Sequence, residues 1–213
     1  ASGAFNPFGT SLQFSPVMLH TWQPTYNRAV IGDSVWSNAL QYTSPTFAGL
    51  RASVLYSMGE VTNHSGVHNL NLTLNYAAGP FAAVVSVQQA QTGPGFTTTI
   101  LRQDAALAGA SYDFKVVQLY GQLQRTRTPD IRTTADTAQL GAAIPVGAGR
   151  FLASVARTDR KVQPATETHR TTWSVGYDHF LSKRTDLYAV FMRDKLTGFD
   201  GRGSLGVGIR HRF

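Results

Sequence analysis

The sequence predicts an all-β fold, an antiparallel transmembrane β-barrel meander of about eleven strands. Three observations lead to this fold class. Apolar and polar side chains alternate with a period of two, short and long connections alternate along the chain, and the intervening segments are long enough to cross a lipid bilayer. A tilted strand crosses a bilayer with about 9–11 residues, and these segments have roughly 9–13.

The alternation predicts strands with one apolar and one polar face. In the clearest segment, Leu70, Leu72, Leu74 and Tyr76 alternate with Asn and Thr side chains. The same pattern occurs in residues 117–124, 172–178 and 204–213. Because successive side chains of a strand point to opposite faces of the sheet, each segment presents one face to a polar and one to an apolar environment. The polar face suits a water-filled lumen and the apolar face suits lipid.

The connections between these segments set the number and the direction of the strands. Short turns are expected at residues 43–46, 78–80, 114–115, 145–150 and 181–184. Longer polar stretches are expected to form loops at residues 59–66, 92–99, 127–135, 159–168 and 195–201. The ten connections join eleven strands, with tight turns at one end of the sheet and loops at the other.

Residues 1–34 do not share the alternation and contain Pro7, Pro16 and Pro24. We expect them to form a functional loop, followed by membrane-spanning strands over residues 35–213. Eleven antiparallel strands leave the first and the last parallel, whereas bacterial barrels have an even number and close antiparallel. The sequence therefore predicts further strands upstream of this chain.

Composition narrows the classes of function. Charged residues make up 15% of the chain, against about 25% in typical soluble domains. The net charge of +7 is spread from Arg28 to Arg212 without a dense cluster, which argues against a nucleic-acid binder. There is no Cys, so disulfides and thiolate metal sites are excluded, and we expect no metal or other cofactor.

Four segments resemble the general porins of Gram-negative bacteria, especially those of the β-proteobacteria. Residues 206–213 (GVGIRHRF) resemble the closing strand of that family, with its terminal Phe. Residues 177–185 (YDHFLSKRT) resemble its "Y-x-LSKRT" turn, with one extra residue before Leu181. Residues 38–50 resemble its "Y-x-SP-x-F-x-G-F" segment, and residues 110–114 resemble another recurrent strand end.

The resemblance implies a trimer of sixteen-stranded barrels in the outer membrane, in which this chain supplies strands six to sixteen. It implies passive diffusion of small hydrophilic solutes and ions rather than catalysis. Residues 1–34 would then belong to the third extracellular loop, which folds into the barrel and narrows the pore. In the family this loop often carries acidic residues that face basic residues of the wall, but residues 1–32 contain no Asp or Glu. Either the acidic residues lie just upstream of this chain, or arginines dominate the constriction, in which case we expect a preference for anions.

The candidate pore-lining and selectivity residues are arginines. Those selected are Arg28, Arg51, Arg102, Arg210 and Arg212. Arginine on a lumen wall costs little, whereas near the midplane on the lipid face it costs about 2–4 kcal/mol. A ring of arginines can favour anions in a pore, although they could equally be solvated wall or rim charges.

Other residues are expected at the edges of the barrel. Arg127, Arg132, Arg160 and Arg170 are expected in the loops, as rim charges near the lipid and the acidic lipopolysaccharide. By resemblance, the barrel-assembly machinery reads the terminal Phe213.

Two other classes of function stay open on the residues alone: a small outer-membrane barrel enzyme of the lipase or protease kind, and a soluble β-sandwich binding module. Gly32-Asp33-Ser34-Val35 resembles the nucleophile block of "GDS" esterases, but the late Asp-x-x-His of those enzymes is absent. His64 and His68 are spaced by four, but the intervening Gly66 argues against a helix that would present both to a metal. We therefore predict a porin without catalytic residues.

Overall fold

The computed structural model describes residues 3–9, 12–22, 29–31, 36–59, 67–93 and 96–213. One α-helix precedes eleven strands: α1 (Pro16–Trp22), β1 (Ala39–Thr43), β2 (Leu50–Met58), β3 (His68–Ala78), β4 (Phe81–Ala90), β5 (Gln103–Asp113), β6 (Gln118–Thr128), β7 (Thr133–Val146), β8 (Gly149–Val162), β9 (Thr166–Phe180), β10 (Thr185–Leu196) and β11 (Arg202–His211). The described helices include none long and apolar enough to cross a membrane.

All eleven strands form one antiparallel sheet in the order of the sequence, which confirms the predicted meander. Within the described residues, β1 pairs only with β2, and β11 pairs only with β10. These two strands therefore form the two lateral edges of an open, curved sheet. The turns and the loops alternate between its two ends, which we call the short-turn end and the loop end.

Exposure is inverted relative to a soluble sheet. On β7, Leu140 is 69% exposed, whereas the neighbouring Gln139 on the opposite face is 2% exposed. The same contrast holds on β9, where Val175 is exposed and Ser174 is fully buried. An apolar face that is left open and a polar face that is covered suit a strand with lipid on one side and a lumen on the other.

Two of the predicted loops are wrong in extent. The sequence predicts loops at residues 127–135 and 159–168, but β6 and β7 are joined by residues 129–132 alone, and β8 and β9 by residues 163–165. The polar residues there continue the ladder, because their side chains pair across strands, as Lys161 does with Glu167 at 3.4 Å. Connections at the loop end are therefore not always longer than those at the short-turn end.

The segment that precedes the strands lies on the polar face of the sheet. Its helix α1 begins with Pro16, whose fixed φ suits a first helical position. Phe8 from this segment packs with Ala143, Leu152 and Val190 to form the buried apolar cluster of the molecule's described part. The apolar core thus lies between the polar face of the sheet and the segment that precedes the strands.

Candidate functional site

The first described residues, 3–9 and 12–22, pack against glycines of the polar face. The ring of Phe14 covers Gly206 of β11 so closely that a Cβ at that glycine would lie 2.1 Å from it. A Cβ at Gly141 of β7 would lie 2.6 Å from Pro7. Phe5 and Phe8 pack in the same way over Gly109 of β5 and Gly176 of β9. These glycines, on alternate strands, form what we call the glycine seats.

The helix is fixed further along by His20. Its Nδ1 lies 2.7 Å from the hydroxyl of Thr158 on β8, and its Nε2 lies 2.8 Å from the hydroxyl of Thr172 on β9. Thr172 in turn donates a hydrogen bond to Asp194 of β10. Asp194 also accepts two hydrogen bonds from Arg170, at 2.8 and 2.9 Å.

This network fixes the protonation of the imidazole. Because the Thr172 hydroxyl donates to Asp194, its oxygen must accept from His20, which places the ring proton on Nε2. Nδ1 then accepts from Thr158. Burial, reinforced by the positive charge of Arg170, lowers the pKa of His20 to about 3, so the ring is neutral near neutral pH.

A second polar cluster lies on the same face at the short-turn end. Asp178 is 1% exposed and accepts hydrogen bonds from Arg150 at 3.0 and 3.2 Å. Arg210 pairs with Asp186 and also approaches Asp178 at 3.9 Å. The four side chains form two ion pairs with no net charge.

The polar face therefore has two parts of different chemistry. On β8–β11 it carries the ionisable side chains Arg150, Arg160, Arg170, Asp178, Asp186, Asp194, Arg202 and Arg210. We call this part the charged wall. On β2–β6 it is made mainly of amide, hydroxyl and small side chains, with the larger Leu55, Val84, Leu107 and Tyr120 among them and with Arg51 and Asp113 as its charged groups. We call this part the amide wall.

The structure separates the arginines selected from the sequence. Arg51 lies on the amide wall, opposite Asn75, near the short-turn end. Arg210 lies on the charged wall in the ion pairs described above, and Arg212 is exposed just beyond β11 at the same end. Arg102 precedes β5, and its Nε lies 2.8 Å from Asp104, a side chain on the apolar face, which gives Arg102 a rim position. Arg28 lies outside the described residues.

The expected rim position of Arg160 and Arg170 is wrong. Both lie on the polar face near His20, and Arg170 is 5% exposed. The alternation contains this information, because extending the polar series of Ser174 and Thr172 by one step reaches Arg170. The sequence reasoning misses it because the apolar face also carries polar residues in this region, and a stretch that is polar on both faces resembles a loop.

The apolar face is bounded by aromatic and charged residues. At the short-turn end, aromatic rings are paired: Tyr76 with Phe81, Tyr112 with Phe114, and Phe151 with Tyr177. The terminal Phe213 is fully exposed at this end and packs its ring edge against His211.

Towards the loop end, the apolar face carries ion pairs instead. Arg125 of β6 is paired with Asp136 of β7, and Asp159 of β8 contacts both Arg157 and His169. The aromatic margin matches a membrane interface, and the ion pairs mark the opposite limit of the apolar face.

The residues considered for the enzyme alternative are only partly described. The Gly32-Asp33-Ser34-Val35 motif and His64 lie outside the described residues. His68 is described, and its ring lies 5.5 Å from that of Tyr56. Within the described part of the chain, no group of three or more His, Asp or Glu side chains could hold a metal ion.

Comparison with known proteins agrees with this architecture. The chain is 31% identical to outer membrane porin protein 32 of Delftia acidovorans, over 83% of the chain and 56% of that protein. It is 27% identical to an outer membrane porin protein of Bordetella pertussis, over 84% of the chain and 58% of that protein. The chain thus spans somewhat more than half the length of these relatives.

Solved structures show the same fold. The anion-selective porin from Comamonas acidovorans superposes with a TM-score of 0.68 at 28% identity, covering 84% of the chain and 60% of that porin. OmpT of Vibrio cholerae, with its loop L8 deleted, has a TM-score of 0.65 at 11% identity, over 81% of the chain and 62% of that protein.

A family model described as Gram-negative porin matches residues 1–198. Its match covers most of the chain, and both curated relatives are outer-membrane proteins, which locates this chain in the outer membrane. The family model, the sheet with its exposed apolar face and the segment packed on its polar face agree with one another. The chain therefore belongs to the Gram-negative porin family.

Proposed function

We propose that this chain forms most of the wall and the constriction loop of a water-filled channel, through which small hydrophilic solutes and ions diffuse passively. The observation that supports this most directly is the segment of residues 3–9 and 12–22, whose helix α1 is held on the buried polar face by His20 and whose preceding residues rest on the glycine seats. A helix in this position narrows a lumen. Residues 1–34 are then the inserted loop, and residues 35–213 supply strands six to sixteen of a sixteen-stranded barrel.

Preference for anions is part of the proposal. The charged wall carries five Arg and three Asp side chains, and residues 1–32 contain no carboxylate side chain. The remaining excess of positive charge on the lumen side favours anions over cations. The related porin from Comamonas acidovorans is described as anion-selective, which points the same way.

Arg51 provides the sharpest test, because it lies on the wall with the fewest charges. The full-length protein in planar bilayers should show discrete conductance steps and a reversal potential of the sign for anions. Replacing Arg51 with Glu changes the lumen charge by two and should move the reversal potential towards cations. Arg125→Glu, the same change on the apolar face, should leave it near the wild-type value.

Two results would contradict these proposals. A full-length protein that inserts into bilayers without conductance steps would overturn the channel. Equal shifts of the reversal potential for Arg51→Glu and Arg125→Glu would show that the charge on the lumen wall does not set selectivity.

For the intact protein we propose a homotrimer that contacts outer-membrane lipid and lipopolysaccharide. The charged margin of the apolar face supports the lipid contact, because Arg127, Arg193 and Lys195 share the face and the end of Arg125 and Arg157. Basic side chains at this height lie where anionic head groups of the outer leaflet are found.

Phe213 is proposed to be the assembly signal. Its ring is fully exposed beyond β11, so it is available to the barrel-assembly machinery. Phe213→Ala should lower the amount of folded, heat-modifiable protein in outer membranes severalfold. Phe199→Ala changes an exposed ring at the loop end and should leave the amount unchanged; an equal loss in both variants would contradict the assignment.

A further inference from the structure

A cavity of about 300 Å³ lies between the end of α1 and the amide wall. Trp22 and Trp36 line it on the side of the loop, and side chains of β2–β6 line it on the side of the sheet. Its volume is at the lower end of the range for ligand sites, roughly 300–1,000 Å³. None of the described residues that line it carries an ionisable side chain.

The sheet side of this cavity combines apolar side chains, Leu55 and Leu107 among them, with a row of hydrogen-bonding side chains on β3 and β4. Asn71 stands opposite Gln88, and Thr73 stands opposite Ser86. Asn71 Nδ2 donates to Ser86 Oγ at 3.0 Å, and Thr73 Oγ1 donates to Asn71 Oδ1 at 2.8 Å. Amides and hydroxyls present donors and acceptors side by side, which is the pattern that a solute rich in hydroxyl groups requires.

Gln124 joins the sheet side of the cavity to α1. Gln124 lines the cavity, and its amide oxygen accepts from Thr21 Oγ1 at 3.1 Å. Its amide nitrogen is buried and has no hydrogen-bond partner in the described part of the chain. Buried donors without a partner are uncommon and costly, and this one lies beneath the cavity surface rather than on it.

We propose that this cavity is a binding subsite for a neutral polyhydroxylated solute the size of a monosaccharide. The lack of charge favours a neutral solute, the amides and hydroxyls match ring hydroxyls, and the two indoles can cover the C–H face of a sugar ring. The subsite rests on the proposed channel only in that the lumen gives access to it. It would retain sugars in a pore whose wall charges otherwise favour anions.

The test uses the full-length protein and glucose as the probe. Glucose should change the tryptophan emission of the detergent-solubilised protein in a saturable way, because two of the chain's three tryptophans line the cavity. The change should persist in Trp173→Phe, whose ring lies on the apolar face against Phe191, and should be reduced in Trp22→Phe and in Trp36→Phe. In bilayers, glucose should lower the conductance with the same half-saturating concentration.

Asn71 and Asn75 form a matched pair, since both lie on the polar face of β3 but only Asn71 lines the cavity. Asn71→Ala should raise the half-saturating concentration about three- to tenfold, the effect of one lost hydrogen bond. Asn75→Ala should leave it within about twofold of the wild type.

The failures of the two proposals are distinguishable. No saturable glucose effect in either measurement, equal effects of Asn71→Ala and Asn75→Ala, or displacement of glucose by equimolar sulfate would each overturn the subsite. A saturable fluorescence change in a protein without conductance steps would uphold the subsite and overturn the channel.

Discussion

The charged wall and the amide wall belong to one sheet and face the same side, but they use polarity differently. On the charged wall, Arg150, Arg170 and Arg210 are bound to carboxylates, and His20 of the loop is added to one of these groups. On the amide wall, side chains of β3 and β4 bond mainly to one another beside a cavity, while Gln103, Gln122 and Gln124 of β5 and β6 bond to Ala29, Phe5 and Thr21 of the loop. The charged wall thus holds the loop at buried groups that include ion pairs, whereas the amide wall holds it through neutral amides and leaves a cavity beside α1.

Desolvation explains why the charges of the charged wall are paired. The loop covers part of the charged wall, where Asp178, Asp186 and Arg170 are almost fully buried. Removing a charge from water is costly unless a partner compensates it, so a covered wall can keep charges only in pairs. Charges that act on permeating ions are therefore expected on the less covered positions, such as Arg51.

The largest effect should follow from breaking a pair on the charged wall. Asp178→Leu leaves the guanidinium of Arg150 without its carboxylate partner. It also removes the second carboxylate near Arg210, which keeps its pair with Asp186. Removing one partner of a buried ion pair destabilises a protein by about 3–5 kcal/mol. Urea unfolding of the refolded full-length protein, followed by tryptophan emission, measures this loss.

A matched change on the apolar face serves as the control. Asp136→Leu removes the carboxylate paired with Arg125, but both side chains there are exposed. Water can solvate the remaining guanidinium, so the midpoint in urea should barely move. If both variants lose the same stability, the claim that a covered ion pair matters more to stability than an exposed one is wrong.

The sequence was sufficient for the fold because alternation is a local property. Leu70 to Tyr76 show the period of two directly, and the pairing of β3 with β4 follows from the short turn between them. The ends of strands at the loop end are harder to predict. Thr133 and Lys161 look like loop residues, but their neighbours on the adjacent strand satisfy them, and that pairing is not visible within either segment alone.

The candidate site is predicted less completely, because it depends on contacts between distant residues. His20 is separated from Thr172 by 152 positions, and no local pattern marks it as the residue that fixes the helix. The glycine seats are similar: Gly206 belongs to an ordinary alternating strand, and only the ring of Phe14 above it explains why a side chain is absent. For Arg51, by contrast, its place in the alternation of apolar and polar residues alone predicts that it lies on the polar face.

An intermediate effect is expected at the glycine seats. Gly206→Ala puts a methyl group where the ring of Phe14 lies, so the loop must shift while the strand keeps its backbone. Overpacking of this kind costs about 1–3 kcal/mol, and because the loop narrows the lumen, the single-channel conductance should change. Gly121→Ala on the apolar face, where the nearest atom would be 3.7 Å away, should conduct like the wild type; unchanged conductance of Gly206→Ala would show that this seat does not position the loop.

The smallest effect at neutral pH is expected at His20. In His20→Leu the two threonines keep other partners, Thr137 for Thr158 and Asp194 for Thr172, so the loss should be about 1 kcal/mol. The effect of pH is more informative, because the pKa of His20 is about 3 in the folded protein and near 6.5 when unfolded.

Between these two pKa values the unfolded chain binds more protons, so the stability that neutral His20 contributes is complete above pH 6.5 and is lost as the pH falls towards 3. Arg170 opposes the protonation of this ring and Asp194 favours it, while Arg160 lies beside them. Channel closures should therefore become more frequent from pH 6.5 to 4 in the wild type and depend less on pH in His20→Leu, whereas His179→Leu on the apolar face should behave as the wild type. If His20→Leu keeps the full pH dependence, loosening of the loop in acid must originate in the carboxylates of the charged wall, and the contrast between the two walls would then extend to their response to pH.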